Sequence, residues 1–303
     1  MAVTIGPITE SFAAEIGDLD LNERLGDEDF AAVEAAFDSY SVLVFCAQNA
    51  LTEQAQIDFS ARFGPLETTI SALRKDARLR LRPEFADVSN LDEQNELQHA
   101  KSRRRAYNVG NQLWHTDSSF KRLPAKASLL FARTVAPVGG HTEFADLRAA
   151  YDALPHAMKA RLEGLVAEHS IMTSRAKTGY FEFDTEEYRG LPPVPQVLVR
   201  THAGSKRRTL YLASHAGRIY GMEDDEAQAL LAELIDFATQ RQFVYTHRWR
   251  VGDLVMWDNR CTMHRGRPFD DLRFKRDVRR TTVSDVAPTC EQEGIRLNSV
   301  AAE

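Results

Sequence analysis

The chain has 303 residues, of which 43% are hydrophobic and 27% are charged, and its formal net charge is −6. This length allows a substantial buried core, and the negative charge argues against a broad nucleic-acid-binding surface, which normally carries a basic excess. Three cysteines without CxxC spacing are typical of a reduced cytosolic protein and not of a disulfide framework. No secretory signal and no apolar run near the roughly 20 residues of a membrane span are visible. We therefore expect a cytoplasmic protein without nucleic-acid or membrane partners.

The first third of the chain alternates helix-like and strand-like segments. Residues 27–40 have an acidic start and place Phe30, Val33 and Phe37 on one helical face. A short apolar run of strand length follows at 41–48. Residues 51–64 then predict a second amphipathic helix that ends at Gly64.

Two stretches lack a regular pattern. Residues 66–110 are polar, charge-rich and weakly periodic, and a loop of this length in a compact chain is usually a functional lid or a disordered segment. We interpret 66–110 as a lid. Residues 171–195, which run into a proline-rich stretch, are interpreted as a second insertion.

From residue 111 onward the signals are mostly strands separated by turns, with fewer helices. Strands are expected at 111–120, 126–137, 138–147, 196–202, 207–214, 243–259 and 273–286, and helices at 146–155, 157–169 and 225–240. Many short strands with few βαβ alternations favour an antiparallel double sheet, the jelly roll or double-stranded β-helix, with flanking helices. Because no composition shift marks a boundary, residues 1–303 are expected to form a single domain of this mainly β, cupin-like class.

A possible metal site begins at His115 and Asp117, in the segment NQLWHTDSSF. Residues two apart on a strand point to the same face, so this imidazole and this carboxylate can meet one ion. The pattern is weak by itself, because His141 and Glu143 repeat it.

A third ligand could come from His264, which follows a convincing strand and a polar turn. Two histidines and one carboxylate form the facial triad of non-haem Fe(II) oxygenases, with positions left open for substrate and oxygen. A zinc hydrolase would also use three ligands and one open position. The HExxH helix motif of many such hydrolases is absent from the sequence.

The last predicted strand carries an arginine pattern. Period two places Arg276, Val278, Arg280 and Thr282 on one face. Inward-facing arginines are costly unless each meets an anion, and guanidinium groups suit carboxylates. The alternative is an exposed basic edge strand, a common protection against aggregation.

Taken together, these segments resemble the Fe(II)/2-oxoglutarate-dependent dioxygenases of the taurine dioxygenase group. The resemblance runs from about residue 41 to residue 285 and is most specific to the branch that acts on aryloxyalkanoates. Its motifs occur in the family's order: LWHTDSSF, GGHTEFADLRAAYDALP, LVRTHAGS, WDNRCTMHRGR and RDVRRTT.

The resemblance implies roles for individual residues. His115, Asp117 and His264 match the iron ligands, and Thr142 and Arg276 match the residues that hold the distal carboxylate of 2-oxoglutarate. His141 then has no ligand role.

Further positions match the substrate pocket. Arg280 corresponds to the arginine that meets the anionic end of the primary substrate, and Asn111 and His215 to pocket residues. Lys275 or Arg279 could replace Arg276, because the segment after His264 looks one residue longer than in the family. Three other residues have structural alternatives. His202 is a lesser candidate for the substrate pocket, Trp257 is expected in the core near the iron, and Cys261 is expected to be a small buried residue.

The implied activity is hydroxylation of a small anionic substrate, an aryloxyalkanoate such as 2,4-dichlorophenoxyacetate. Fe(II), 2-oxoglutarate and O2 would be required, and the products would be a phenol, glyoxylate, succinate and CO2. A sulfonate or other small-carboxylate hydroxylase, a metal-dependent hydrolase or lyase, and a jelly-roll binding or sensor protein are the alternatives. A homo-oligomer is expected, as in relatives.

Overall fold

The structure is a computed structural model that describes residues 3–73 and 78–296. Residues 74–77 of the predicted lid and the two ends of the predicted 1–303 domain lie outside the described residues. The strands are β1 Thr4–Pro7, β2 Ala13–Gly17, β3 Val42–Phe45, β4 Phe85–Asp87, β5 Ala125–Thr134, β6 Thr142–Asp146, β7 Val166–His169, β8 Val194–Val197, β9 Val199–Thr201, β10 Arg208–Leu210, β11 Ala216–Ile219, β12 Val244–His247, β13 Leu254–Asp258, β14 Thr262–Gly266 and β15 Asp277–Ser284.

The helices are α1 Asp27–Tyr40, α2 Glu53–Ala61, α3 Arg103–Asn108, α4 Leu147–Ala153, α5 His156–Leu162, α6 Ile171–Ala176, α7 Thr185–Gly190, α8 Asp224–Ala238 and α9 Thr289–Gln292. Single 3-10 turns occupy Ile70–Leu73, Val109–Gln112 and Arg241–Phe243. Helices hold about as many residues as strands, so the helical share is larger than a mainly β class implies. Within the described ranges, no helix combines the length and apolar character needed to span a membrane.

The strands form one large sheet and three small ones. The large sheet has the order β1-β2-β3-β13-β5-β15-β4, and the small sheets are β12-β6-β14, β11-β7-β8 and β10-β9. All of these pairs are antiparallel except β2 with β3. The antiparallel character expected from the sequence is therefore confirmed.

The large sheet is covered on both faces, and β3 shows how. Leu43 and Phe45 pack against the apolar sides of α1 and α2. Val42 and Val44 point the other way, into a cluster that contains Phe144 of β6. Alternating residues of one strand thus bury both faces of the sheet, and the β12-β6-β14 sheet packs against the face opposite the helices.

Helix α1 begins and ends where the sequence predicts. Its buried residues are Phe30, Val33, Ala36 and Phe37, the face expected from the helical period. The helix ends at Ser41, whose left-handed backbone (φ 65°) lets its N–H bond the carbonyl oxygen of Phe37.

The predicted helix over 157–169 is wrong in its second half. Helix α5 ends at Leu162, and Gly164 adopts φ +73°, which interrupts the helical path. Val166–His169 instead forms β7, which pairs with both β8 and β11. Distant strand partners therefore override the local helical pattern.

The segments expected to be irregular contain regular structure. The lid segment 66–110 includes β4, which pairs with β15 at the edge of the large sheet, and helix α3. The insertion 171–195 includes α6 and α7. The expected strand at 111–120 is reduced to a single bridge at His115, followed by a turn. All three cysteines are free, as expected.

Candidate active site

Strand β14 brings His264 beside His115. The chain turns after β13 at the Asp258–Asn259 position and crosses to the β12-β6-β14 sheet as β14, which pairs with β6 and not with β13. The backbone N–H of His115 donates to the carbonyl oxygen of His264 at 3.0 Å, and the reverse bond is 2.8 Å long. This isolated bridge joins two residues that are 149 positions apart in the sequence. It sets the two imidazoles side by side, with ring centroids 4.2 Å apart.

The third member of the group is Asp117. One ligand atom from each of His115, Asp117 and His264 lies within 4.8 Å of the others, and all three residues are buried. The Nε2 atoms of His115 and His264 are 3.8 and 3.7 Å from the two Asp117 oxygens. Two imidazole nitrogens and one carboxylate at this spacing can hold one divalent ion.

The histidines are prepared to act as neutral ligands. The Nδ1 of His115 lies 2.7 Å from the carbonyl oxygen of Leu113, so Nδ1 donates and Nε2 keeps its lone pair. Desolvation lowers the pKa of His115 to about 4, although Asp117 opposes this shift. Burial and the neighbouring His115 hold the pKa of His264 well below its ordinary value.

Asp117 is oriented by a buried polar network. The hydroxyl of Ser128, on β5, donates to its Oδ2 at 2.7 Å. The Nδ2 of Asn259 donates to the Ser128 hydroxyl at 2.9 Å, while the Asn259 Oδ1 accepts the backbone N–H of Asp117 at 3.1 Å. Burial alone would raise the pKa of Asp117, but Arg280 and the two histidines lower it to about 2.

A first cavity of about 330 Å³ opens beside the three residues. Its lining includes His115, His264, Thr142 and Arg276. Arg276 is 9% exposed, and its guanidinium has no ion pair among the described residues. Desolvation lowers the pKa of Arg276 to about 10, so the group stays charged at neutral pH. The cavity can therefore accept an anion next to the metal ligands.

The neighbours of Arg276 face elsewhere. Lys275 is hydrogen bonded to the carbonyl oxygen of Asn95 and paired with the exposed Glu96. Arg279 points to the opposite face of β15, where its guanidinium donates to Gln56. Only Arg276 of these three lines the first cavity, and the shared face predicted for Arg276 and Arg280 agrees with the structure.

A second cavity of about 130 Å³ adjoins the first and shares His115 and Arg280 with it. Its polar lining includes Arg280, Asn111 and His215, and also Arg175. Arg280 donates a hydrogen bond to Asp117. The ring of His215 lies 6.0 Å from that of His115. An apolar cluster forms the remaining wall: Phe120, Ile171, Ile70 and Tyr107.

The remaining candidates have structural surroundings. His202 and Cys261 belong to a second buried group with Asp258, but His202 is 2.9 Å from Asp258, which Arg260 also contacts. Burial raises the pKa of the Cys261 thiol to about 12. His202 and Asp258 are thus already paired with each other, and the Cys261 thiol lies 3.1 Å from the Ser41 hydroxyl.

Two further positions behave as expected. Trp257 is 1% exposed, and its ring centroid lies 4.6 Å from that of His264, so it is core next to the triad. His141 is outside both buried groups.

Sequence reasoning missed Ser128, Asn259 and Arg175. Ser128 lies in an apolar strand, where a small polar residue is unremarkable until its partner is known. Arg175 lies in the segment interpreted as irregular, so no periodicity marked it. Asn259 could have been noticed, because it sits in the turn that leads to His264.

The family model described as taurine catabolism dioxygenase TauD, TfdA family matches residues 4–282. The chain belongs to this family. Curated TauD, TfdA relatives include the alpha-ketoglutarate-dependent 2,4-dichlorophenoxyacetate dioxygenase of Cupriavidus pinatubonensis, which is 46% identical over 95% of this chain and 99% of its own. The (S)-phenoxypropionate/alpha-ketoglutarate-dioxygenase of Sphingobium herbicidovorans is 38% identical over 89% of this chain and 91% of its own.

A solved structure agrees. The crystal structure of AAD-2 in complex with Mn(II) and N-oxalylglycine has a TM-score of 0.86 and 46% identity, and the match covers 95% of this chain and 99% of AAD-2. The TauD, TfdA membership and the dioxygenase class expected from the sequence are therefore confirmed.

Proposed function

We propose that this protein is an Fe(II)/2-oxoglutarate-dependent dioxygenase that hydroxylates an aryloxyalkanoate such as 2,4-dichlorophenoxyacetate. One observation carries the proposal: two of the three buried candidate ligand residues line a cavity that also contains Arg276, a buried arginine without an ion-pair partner among the described residues. The named activities of the relatives from Cupriavidus and Sphingobium support the substrate class. We also propose that the large sheet and the β12-β6-β14 sheet form the double-stranded β-helix of this class.

The donor set fits the proposed metal. His115 and His264 offer neutral imidazole nitrogens, and Asp117 offers a carboxylate that Ser128 and Asn259 hold in place. When bound there, Fe(II) would couple the decarboxylation of 2-oxoglutarate by O2 to hydroxylation of the substrate.

Different side chains would position 2-oxoglutarate and the primary substrate. Arg276 would bind the far carboxylate of 2-oxoglutarate in the first cavity, with Thr142 beside it. The hydroxyl of Thr142 is itself held by the indole N–H of Trp249 at 2.9 Å. Arg280 would meet the anionic end of the primary substrate in the second cavity, where Asn111 and His215 complete the wall.

The second cavity suits an aromatic acid because it joins cations to an apolar cluster. Just over half of its lining is drawn from 67–71, 84–88 and 104–108 of the lid segment, with Ile171 and Arg175 from the second insertion. We propose that these two segments enclose the ring and exclude water around the carbon to be hydroxylated. Hydroxylation at the carbon next to the ether oxygen gives a hemiacetal, which collapses to a phenol and glyoxylate.

The test is succinate formation from 2-oxoglutarate with Fe(II) and ascorbate in air. Three reactions are compared: added 2,4-dichlorophenoxyacetate, added taurine, and no added substrate. Strong stimulation by the aryloxyacetate with equal release of phenol is the expected result. Stimulation by taurine alone would replace the substrate with a sulfonate. Turnover of the aryloxyacetate without oxygen and 2-oxoglutarate would instead support the hydrolase or lyase alternative.

A further inference from the structure

The second cavity contains one cation without an anionic partner. Three of its four Lys and Arg side chains each face a carboxylate: Arg104 faces Asp87, Lys121 faces Glu67, and Arg280 faces Asp117. The fourth, Arg175, has no carboxylate within ion-pairing distance in the part of the chain that the structure describes. Among these four, only Arg175 carries an uncompensated charge into the cavity.

Neutral groups satisfy Arg175 only in part. It is 4% exposed on helix α6. Its guanidinium donates to the Oδ1 of Asn111 at 2.9 Å and to the hydroxyl of Ser174 at 3.3 Å, and it lies 4.2 Å above the ring of Tyr107. Its Nε atom is buried without a hydrogen-bond partner. A guanidinium has five N–H donors, and a buried charge is costly unless it meets an anion.

The chain leaves room for this arginine at Gly110. A Cβ on Gly110 would lie 2.4 Å from an Nη atom of Arg175 and 2.6 Å from its Cζ. Any side chain at position 110 would therefore displace the guanidinium. The close approach places the Arg175 charge against the 3-10 turn that carries Asn111.

Arg175 is also close to the candidate metal ligands. The Ser174 hydroxyl that accepts from Arg175 lies 2.8 Å from the Nδ1 of His215. The ring of His215 in turn meets that of His115 edge-on at 6.0 Å. An anion that reaches Arg175 would thus lie near the site of hydroxylation.

We propose that Arg175 is a second anion-binding residue for the primary substrate and acts alongside Arg280. Arg280 already donates to Asp117, so part of its hydrogen-bonding capacity serves the metal ligand. Arg175 has a charge without an anionic partner among the described residues and lines the same cavity, together with the apolar cluster that would hold the ring. This inference rests on the proposed function, because it names how that substrate's carboxylate is recognised.

The test is calorimetric titration of protein loaded with Mn(II) and N-oxalylglycine. Two probes are compared: 2,4-dichlorophenoxyacetate and its neutral carboxamide. Arg175→Gln should weaken binding of the acid about 10- to 100-fold, because a charged hydrogen bond is lost. Binding of the carboxamide should change less than about threefold, and binding of N-oxalylglycine should not change.

Two further variants separate charge recognition from folding. Gly110→Ala keeps the arginine but displaces its guanidinium, and it should reduce the preference for the acid in the same direction. Arg218→Gln removes an exposed cation that pairs with Asp224 and lines neither cavity. This control should keep the wild-type preference for the acid within about threefold.

Each failure has its own signature. If Arg175→Gln and Gly110→Ala both keep the wild-type preference for the acid, the role of Arg175 is overturned while the substrate class stands. If Arg175→Gln weakens N-oxalylglycine as much as the acid, Arg175 serves the co-substrate and the inference is also wrong. If wild-type protein binds N-oxalylglycine but not the aryloxyacetate, the substrate proposal fails, and the inference fails with it.

Discussion

Arg280 donates a hydrogen bond to the carboxylate of Asp117, whereas Arg276, four residues earlier, has no anionic partner among the described residues. The two arginines lie on one face of the same strand region and both line the first cavity, but only Arg280 also lines the second cavity. Arg280 is therefore connected to Asp117 and to both cavities, and Arg276 to the first cavity alone. Their substitutions should have different effects.

Arg276→Gln should weaken binding of N-oxalylglycine to Mn(II)-loaded protein about 10- to 100-fold. The reason is the loss of charged hydrogen bonds from a buried guanidinium, each about 1.5–3 kcal/mol. Calorimetric titration measures this affinity directly. Binding of Mn(II) alone should remain within about threefold, because Arg276 does not contact the three ligands.

Arg280→Gln and Lys275→Gln supply the comparison. Arg280→Gln should mainly weaken 2,4-dichlorophenoxyacetate, and Lys275→Gln, on the exposed pair with Glu96, should change neither affinity more than about twofold. Equal losses for both ligands in the Arg276 and Arg280 variants would contradict this division. A large loss of N-oxalylglycine in Lys275→Gln would transfer the role to that residue.

His115→Ala should reduce Mn(II) affinity by a factor of about 100 or more, because it removes one of three ligands and leaves Asp117 facing a single imidazole. Titration of metal-free protein with Mn(II) provides the measurement, with far-ultraviolet circular dichroism to verify the fold. Cys261→Ser is the control, since Cys261 belongs to the other buried group. It should retain one metal per chain, and loss of metal in that variant would show that the wrong group was assigned.

Ser128→Ala should lower metal affinity about 10- to 100-fold without removing a ligand. The Ser128 hydroxyl orients the Asp117 carboxylate, and such supporting contacts typically have effects of this size. Ser60→Ala is a matched variant, because its buried hydroxyl pairs with Thr281 on the opposite face of β15. If both variants bind Mn(II) like the wild type, the orienting role of Ser128 is wrong.

Because His169 is buried, we expect the free energy of unfolding to decrease in mild acid. Burial, with a contribution from Lys177, lowers the pKa of His169 to about 3. Between the ordinary value near 6.5 and that value, the unfolded chain binds a proton that the folded chain does not, so the free energy of unfolding falls as the pH falls through this window. In urea unfolding with EDTA from pH 7.5 to 5.0, His169→Asn should reduce the slope by up to about 1.4 kcal/mol per pH unit. Parallel curves for the two proteins would refute the assignment.

Local pattern was sufficient for the strongest elements and for placing His115 beside Asp117. Helix α1 has a single apolar face and sharp ends, so its bounds could be read directly. His115 and Asp117 share a face because of two-residue spacing alone, although the structure forms only a bridge there. Their partnership with His264 needed the resemblance to a family, since nothing local links residues so far apart.

The rest depends on contacts that no short segment encodes. Val166–His169 is a strand because β8 and β11 flank it, although the preceding residues are helical. The role of Ser128 becomes visible only in the folded structure, where its hydroxyl on β5 donates a hydrogen bond to Asp117. In the sequence, nothing distinguishes Arg175 from a surface arginine, whereas in the structure it lies against Gly110 and donates a hydrogen bond to Asn111. The homo-oligomer expected from the sequence stays a prediction.

The order of strands around β5 has a consequence for synthesis of the protein on the ribosome. β5 ends at Thr134, but its two sheet neighbours, β13 and β15, are completed only at Asp258 and Ser284. At roughly 5–20 residues per second, this buried, largely apolar strand waits about 6–25 s before β13 can cover its first edge and about 8–30 s before β15 can cover the second. Exposed edges of that kind invite pairing with other chains. We therefore expect a nascent chain of this protein to need its β5 edges shielded until its last fifth has emerged, and only then can His264 join His115 and Asp117.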